Sequence, residues 1–257
     1  MKPLISLIGR RAIVSAAASG IGRVIAETLA HAGASVEVCD VDHEKIAEVN
    51  SSDIAVRASY CNLEKPDEIE RFFAEAVERL GGVDILVNNA GIAGPIETAE
   101  TITLEAWNQT IAINLTSHFL LARLAAPLMR QVGGGAIVNI SSTAGLEGNA
   151  LRSPYNASKW GVIGLSKSLA KELGPSHIRV NVICPGFVEG ERIERVIAER
   201  AAKEAVEPAE MRARFLAESS MGIGVLPDDI AAMTLFLTSE AGKRMSGHVF
   251  IVDADTM

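Results

Sequence analysis

Residues 15–22 read Ser15-Ala16-Ala17-Ala18-Ser19-Gly20-Ile21-Gly22, between a short apolar run and a segment of helical periodicity. A glycine-rich turn at a strand-to-helix junction lets backbone approach a pyrophosphate. The helix start that follows offers free N–H groups and a positive dipole end. Here glycine occupies only the second half of the stretch. A methyl at the turn leaving the strand is tolerated where φ is negative, so the sequence predicts a negative φ at Ala16. Ser15 and Ser19 are expected to compensate as hydrogen-bond donors, to backbone and phosphate respectively. Taken alone, Gly-Ile-Gly also fits a plain structural turn.

Outward from this loop the pattern alternates. Ala12-Ile13-Val14 reads as a strand, 21–32 as an amphipathic helix, 36–39 as a strand and 43–50 as a short helix. Strands follow at 53–60, 83–87, 136–140, 178–183 and 249–252, with helices at 67–80, 104–131, 155–173 and 228–239 between them. Near-continuous apolar strands alternating with helices predict an α/β fold. It is a Rossmann-like, doubly wound parallel sheet of about seven strands with helices on both faces. No linker or composition break divides residues 1–257, so a single domain is expected, with the charged helical stretch around 189–220 left over as a lid. In such sheets the ligand crevice lies beyond the carboxyl ends of the strands.

Composition narrows the function class. The net charge of −8 argues against a nucleic-acid or anionic-membrane surface. No long apolar run starts the chain and no membrane span is expected. Cys39, Cys61 and Cys184 lack metal-ligand spacing and read as buried thiols of a reducing, cytoplasmic compartment, so no metal is expected.

Asp40 ends the second strand, 18 residues after Gly22, where a carboxylate reaches ribose hydroxyls and repels a 2′-phosphate. With Val41 and Asp42 next, rather than Arg or Lys, NAD is expected over NADP. A solvated strand-end acid is the plain alternative.

Tyr155 and Lys159 stand four apart on a helix, hence on one face. A cation about 4 Å from a phenol contributes roughly 4 kcal/mol at an effective dielectric near 20, about three pKa units before desolvation. Tyr155 thereby becomes a base for an alcohol or an acid for a ketone. Ser142, at the end of the fifth strand, points a hydroxyl at the same crevice. The amides of Asn88 and Asn89 either support the cofactor or satisfy strand-end backbone. Asn114, in an otherwise apolar helix, either holds a water that relays protons to Lys159 or is a satisfied core amide.

In this order and spacing the motifs SAAASGIG, Asp40, NNAG (88–91), Asn114, NISS (139–142), YNASK (155–159) and PG (185–186) resemble the short-chain dehydrogenases/reductases along almost the whole chain. The resemblance implies hydride transfer between NAD(P) and an alcohol or carbonyl, usually in a homotetramer. It makes Asn114, Ser142, Tyr155 and Lys159 catalytic. Cofactor contacts fall to Ser15, Ala17, Ser19, Gly20, Ile21, Gly22, Asp40, Asn62, Leu63, Asn89, Ala90, Gly91, Tyr155, Lys159, Pro185, Gly186 and Val188. There are departures. Ala16 replaces the loop's first glycine, and Asn62 replaces an aspartate near the adenine while still offering an amide oxygen. Gly190 stands where a threonine often bonds the carboxamide, so backbone groups such as those of Val188 are expected to anchor it.

The expected substrate is a small polar secondary alcohol or ketone, anionic if Arg152 or Arg192 serves as its anchor; surface arginines are the plain reading of both. The alternatives are an NADPH-dependent carbonyl or 3-oxoacyl-thioester reductase and a non-catalytic NAD-binding regulator.

Overall fold

The computed structural model describes residues 5–256. Seven parallel strands form one sheet in the order β3-β2-β1-β4-β5-β6-β7. They are β1 (Arg11–Ser15), β2 (Ser35–Asp40), β3 (Val56–Tyr60), β4 (Ile85–Asn88), β5 (Gly135–Ile140), β6 (Ile178–Pro185) and β7 (Val249–Val252). The order reverses at β1, which pairs with β2 on one side and β4 on the other. In an open α/β sheet this reversal is where the ligand crevice is expected, at the carboxyl ends of β1 and β4.

Alternate strand residues feed two cores. Ala12 and Val14 join Ile25, Leu29 and Ile230 under α1 (Gly20–His31) and α9 (Pro227–Thr238). Ile13 joins Ile69, Phe72, Leu121 and Met129 on the opposite face. That face is covered by α3 (Pro66–Leu80), α5 (Ser117–Gln131) and α6 (Ser153–Leu173), while α2 (His43–Asn50) lies beside β3. The helices follow their sequence signals. Ile69, Phe72, Phe73 and Ala76 make the buried stripe of α3, Pro66 opens it, and Gly81 at φ 72 closes it left-handed.

The expected 104–131 helix is interrupted. α4 (Leu104–Ile111) and α5 flank a π-helical turn, Ala112–Thr116, that carries Asn114. By length and composition Leu104–Gln131 could cross a membrane, but it packs as a core helix, with Leu121, Ala125 and Met129 buried. The third strand begins at Val56 rather than 53, because residues 51–55 turn back from α2. The 189–220 stretch forms α7 (Glu191–Glu204) and α8 (Pro208–Ala217), with Ile197, Ala201 and Met211 packed on Phe187. All three cysteines are free and buried.

Candidate active site

The loop after β1 corrects the expectation at Ala16, whose φ is +50 rather than negative. Its neighbours over-determine that conformation. The N–H of Ala17 donates to the Cys39 carbonyl at 3.0 Å, and Asn89 Nδ2 donates to the carbonyls of Ser15 and Ala16 at 3.2 and 2.7 Å. A methyl in this region strains the turn by about 1 kcal/mol. The expected role of Ser15 is also corrected. Its Oγ accepts, taking the N–H groups of Asn89 and Ala90 at 3.1 and 3.3 Å. Gly22 is required by packing, since a Cβ there would lie 2.5 Å from both the Ala16 carbonyl and Asn89 Nδ2. Asn89 therefore ties strand end to loop through its amide, and cofactor support by that amide would be indirect.

The start of α1 suits an anion. Ser19 is exposed and makes no side-chain cap, and no acidic residue occupies the first turn. By contrast Asp42 caps α2 through the N–H groups of Glu44 and Lys45. A pyrophosphate placed at Gly20 and Ile21 would take up the uncapped N–H groups and the dipole end. Asp40 stands beside it, its carboxylate accepting from the N–H groups of Ala18, Val41 and Asp42 at 3.0, 2.8 and 3.3 Å. The Asn62 amide oxygen is already engaged by the Glu64 N–H at 3.0 Å, and the Asn62 N–H donates to Glu68. Leu63 is buried beside it. The residues present thus fit a nicotinamide dinucleotide, with a carboxylate fixed where the adenosine ribose would lie.

At the other half of the crevice, Tyr155 and Lys159 project from α6 with Lys159 Nζ 5.8 Å from the phenol ring centre. Lys159 is buried. Its ammonium donates to the Ile140 carbonyl at 3.0 Å, and its own carbonyl accepts from Ser141 Oγ at 2.8 Å, pinning α6 to the end of β5. Gly91 is the close neighbour, since a Cβ there would fall 3.1 Å from Lys159 Nζ. Burial pushes the Tyr155 phenol up, but Arg192, Lys159 and Arg152 outweigh it, helped by the Ser142 hydroxyl, and bring it to about 8. Lys159 is drawn down to about 8 by burial, with Tyr155 opposing and Arg192 assisting. The four groups thus share one charged cluster.

Asn114 reaches this cluster indirectly. Its Oδ1 accepts from the Ile92 N–H at 2.8 Å, and its Nδ2 donates to the Ile92 carbonyl and to Ser158 Oγ, both at 3.1 Å. Ser158 Oγ in turn donates to the Tyr155 carbonyl at 2.7 Å. The amide is satisfied by protein, so a relay at this point would use backbone of the widened π turn.

Three supporting residues went unread in the sequence: Ser158, Ser141 and His118. His118 Nε2 lies 3.0 Å from the Ala90 carbonyl. Burial first and Lys159 second hold its imidazole near 3, so it is neutral and Nε2–H donates. Only the three- and four-residue spacings to Asn114 and Tyr155 signalled such partners. Pro185 ends β6, and Gly186 packs against Asp253, where a Cβ would approach within 2.6 Å. Val188 bridges Val225 through its neighbours' backbone groups, which leaves its own N–H and C=O outside that pairing.

The chain has clear relatives. The family model described as enoyl-(acyl carrier protein) reductase matches residues 16–254. A D-beta-hydroxybutyrate dehydrogenase of Cupriavidus necator is 39% identical, with 96% of this chain and 97% of that protein covered. A 3-oxoacyl-(acyl-carrier-protein) reductase of Aquifex aeolicus is 34% identical over 97% and 98%. Among solved structures, levodione reductase superposes with a TM-score of 0.91 at 28% identity, covering 96% and 97%.

Proposed function

The chain belongs to the short-chain dehydrogenase/reductase family, and from that premise we propose that it oxidises a small polar secondary alcohol with NAD, reversibly giving the ketone. The family's oxidoreductases act on CH–OH and carbonyl groups with a nicotinamide cofactor. The observation that carries the proposal is the cluster of half-buried Tyr155 and Ser142 with buried Lys159 at the carboxyl edge of the sheet, with the phenol held at about 8.

When bound, NAD supplies the hydride acceptor. Tyr155 Oη takes the substrate's hydroxyl proton, and Ser142 Oγ donates to the same oxygen and orients it. Lys159 keeps the phenolate accessible by its charge and contributes an ammonium donor for the nicotinamide ribose. Asn114 positions both the Ile92 segment and, through Ser158, the backbone of Tyr155. The expected cofactor contacts at Ser19, Gly20, Ile21, Ala17, Leu63, Ala90, Gly91, Pro185, Gly186 and Val188 belong to this reading. So does closure of α7–α8 as a lid within a single domain.

Asp40 supports NAD over NADP, because a carboxylate fixed by three N–H donors repels a 2′-phosphate. NAD should bind at least about tenfold tighter than NADP, about 1.4 kcal/mol, and Asp40→Ala should narrow the gap. Equal wild-type affinities by calorimetry would refute the choice. The activity itself is tested by NADH absorbance with pooled secondary alcohols, comparing wild type with Tyr155→Phe. Turnover lost in the variant supports the proposal; NAD binding without turnover of any alcohol or ketone points to a regulator. The second enzymatic reading, an NADPH-dependent 3-oxoacyl-thioester reductase, is favoured by the Aquifex relative's name and opposed by Asp40. A cytoplasmic homotetramer completes the proposal.

A further inference from the structure

The arginines around the crevice fall into two groups. Arg200 pairs with Glu204, Arg212 with Glu189 and Glu194, and Arg214 with Glu204 and Glu210. Among the described residues, Arg152, Arg192 and Arg195 form no ion pair. Arg152 is also half-buried, and its Nε is buried without a hydrogen-bond partner. Its guanidinium carbon lies 4.4 Å from the centre of the Tyr155 ring.

The surroundings make this costlier still. Burial lowers the pKa of Arg152. Tyr155 opposes that, Arg192 and Arg200 add like charge, and Glu199 offsets part of it without pairing. A buried donor beside like charges is unfavourable until an anion meets it.

The backbone is arranged to hold it there. Leu151 is forced to φ 65, outside the region its side chain favours. Its carbonyl accepts from the Glu97 N–H at 3.0 Å, and the Arg152 carbonyl accepts from the Asn156 N–H at 2.9 Å. Asn156 Nδ2 ties the same loop through the Glu147 carbonyl at 3.0 Å. Strain of this kind persists where the surroundings over-determine a position, often at a ligand site.

We propose that Arg152 forms a binding site for a small oxyanion, a carboxylate or sulfonate, carried by the substrate a few bonds from the carbinol that Tyr155 serves. The substrate class is therefore a short hydroxy acid, and the proposal rests on the dehydrogenase reading above. The guanidinium fork of Arg152 matches such an oxyanion in two hydrogen bonds. A thioester places no charge at that distance from its carbonyl and would leave the fork unfilled.

Butyrate and propane-1-sulfonate are titrated calorimetrically into the enzyme with saturating NAD, using wild type, Arg152→Met and Arg152→Lys. Thermal melting confirms that each variant is folded. Wild type should bind, and the tighter ligand identifies the headgroup. Affinity should fall about 10- to 100-fold in Arg152→Met and less in Arg152→Lys. In steady-state oxidation, wild type should prefer 3-hydroxybutyrate over 3-hydroxybutanamide by more than about tenfold, and Arg152→Met should abolish that preference. Absence of butyrate and sulfonate binding to the wild type overturns the proposal, as do equal affinities in wild type and Arg152→Met or a substrate ratio near one. Anion binding through Arg152 without oxidation of any alcohol would leave the site standing and remove the dehydrogenase reading.

Discussion

Ala16 sits at φ 50 with its methyl partly buried against the core. Replacing it with glycine relieves about 1 kcal/mol of left-handed strain and gives up part of one buried methyl, which together favour the variant slightly. Ala16→Gly should therefore raise the melting temperature by about 1–3 °C, with NAD affinity unchanged or improved. A lowered melting temperature would show that the buried methyl outweighs the strain. Tyr155 gives the second prediction at this scale. Oxidation needs the phenolate, so kcat/KM should rise with pH as Tyr155 ionises around 8. The charged groups facing the phenol are Arg192, Lys159 and Arg152. Arg192 is the largest of the influences that lower the phenol, so Arg192→Gln should move the rising limb to higher pH in a pH–rate profile. An unmoved limb would remove Arg192 from the site's electrostatics. His118, neutral because burial holds it near 3, should add no limb. The four-residue spacing made the Tyr155–Lys159 pair legible from sequence. Backbone handedness at Ala16 was not, because it is imposed by Asn89 and Cys39 from other strands.

Apolar periodicity fixed most elements, since the buried stripes of α1 and α3 repeat at three and four residues. It could not reveal the π turn at Ala112–Thr116, which widens an otherwise regular pattern to aim Asn114 at Ile92 and Ser158. Nor could it separate paired from unpaired arginines in 189–220, because the partners Glu189 and Glu194 lie 23 and 18 residues from Arg212. The lid proposal can be tested at this scale. α7 and α8 are held by a small cluster around Phe187, with Phe215 5.8 Å from its ring centre and the Arg212 guanidinium 5.4 Å away. Removing the Phe187 ring costs about 3–5 kcal/mol in a closed core, and here it should loosen the helix pair before it unfolds the sheet. Phe187→Ala should raise KM several-fold and speed proteolysis within 191–217 while the global melting transition shifts little. A large loss of global stability would tie the pair into the main core instead.

For the whole molecule, the sheet order leaves β7 as an edge strand, with Ile251 46% exposed. Beside it Asp229, Ala232, Met233, Phe236 and Val252 line a mostly apolar depression of about 440 Å3. A second apolar face lies across the molecule's helical layer, where Leu104, Trp107, Phe119 and Trp160 stand out from α4, α5 and α6. Exposed apolar edges and patches of this kind are normally covered. Two separate faces, each meeting its own copy around a two-fold axis, generate a closed tetramer rather than a filament. Sedimentation of the wild type at micromolar concentration should therefore report four chains. Trp160→Glu with Phe119→Asp should reduce this to two, Ile251→Lys with Phe236→Glu should also reduce it to two, and the four changes together should give single chains. If either pair alone yields single chains, one face does not form independently of the other. A wild type that sediments as a single chain would mean that neither face is an interface, and the homotetramer would have to be abandoned.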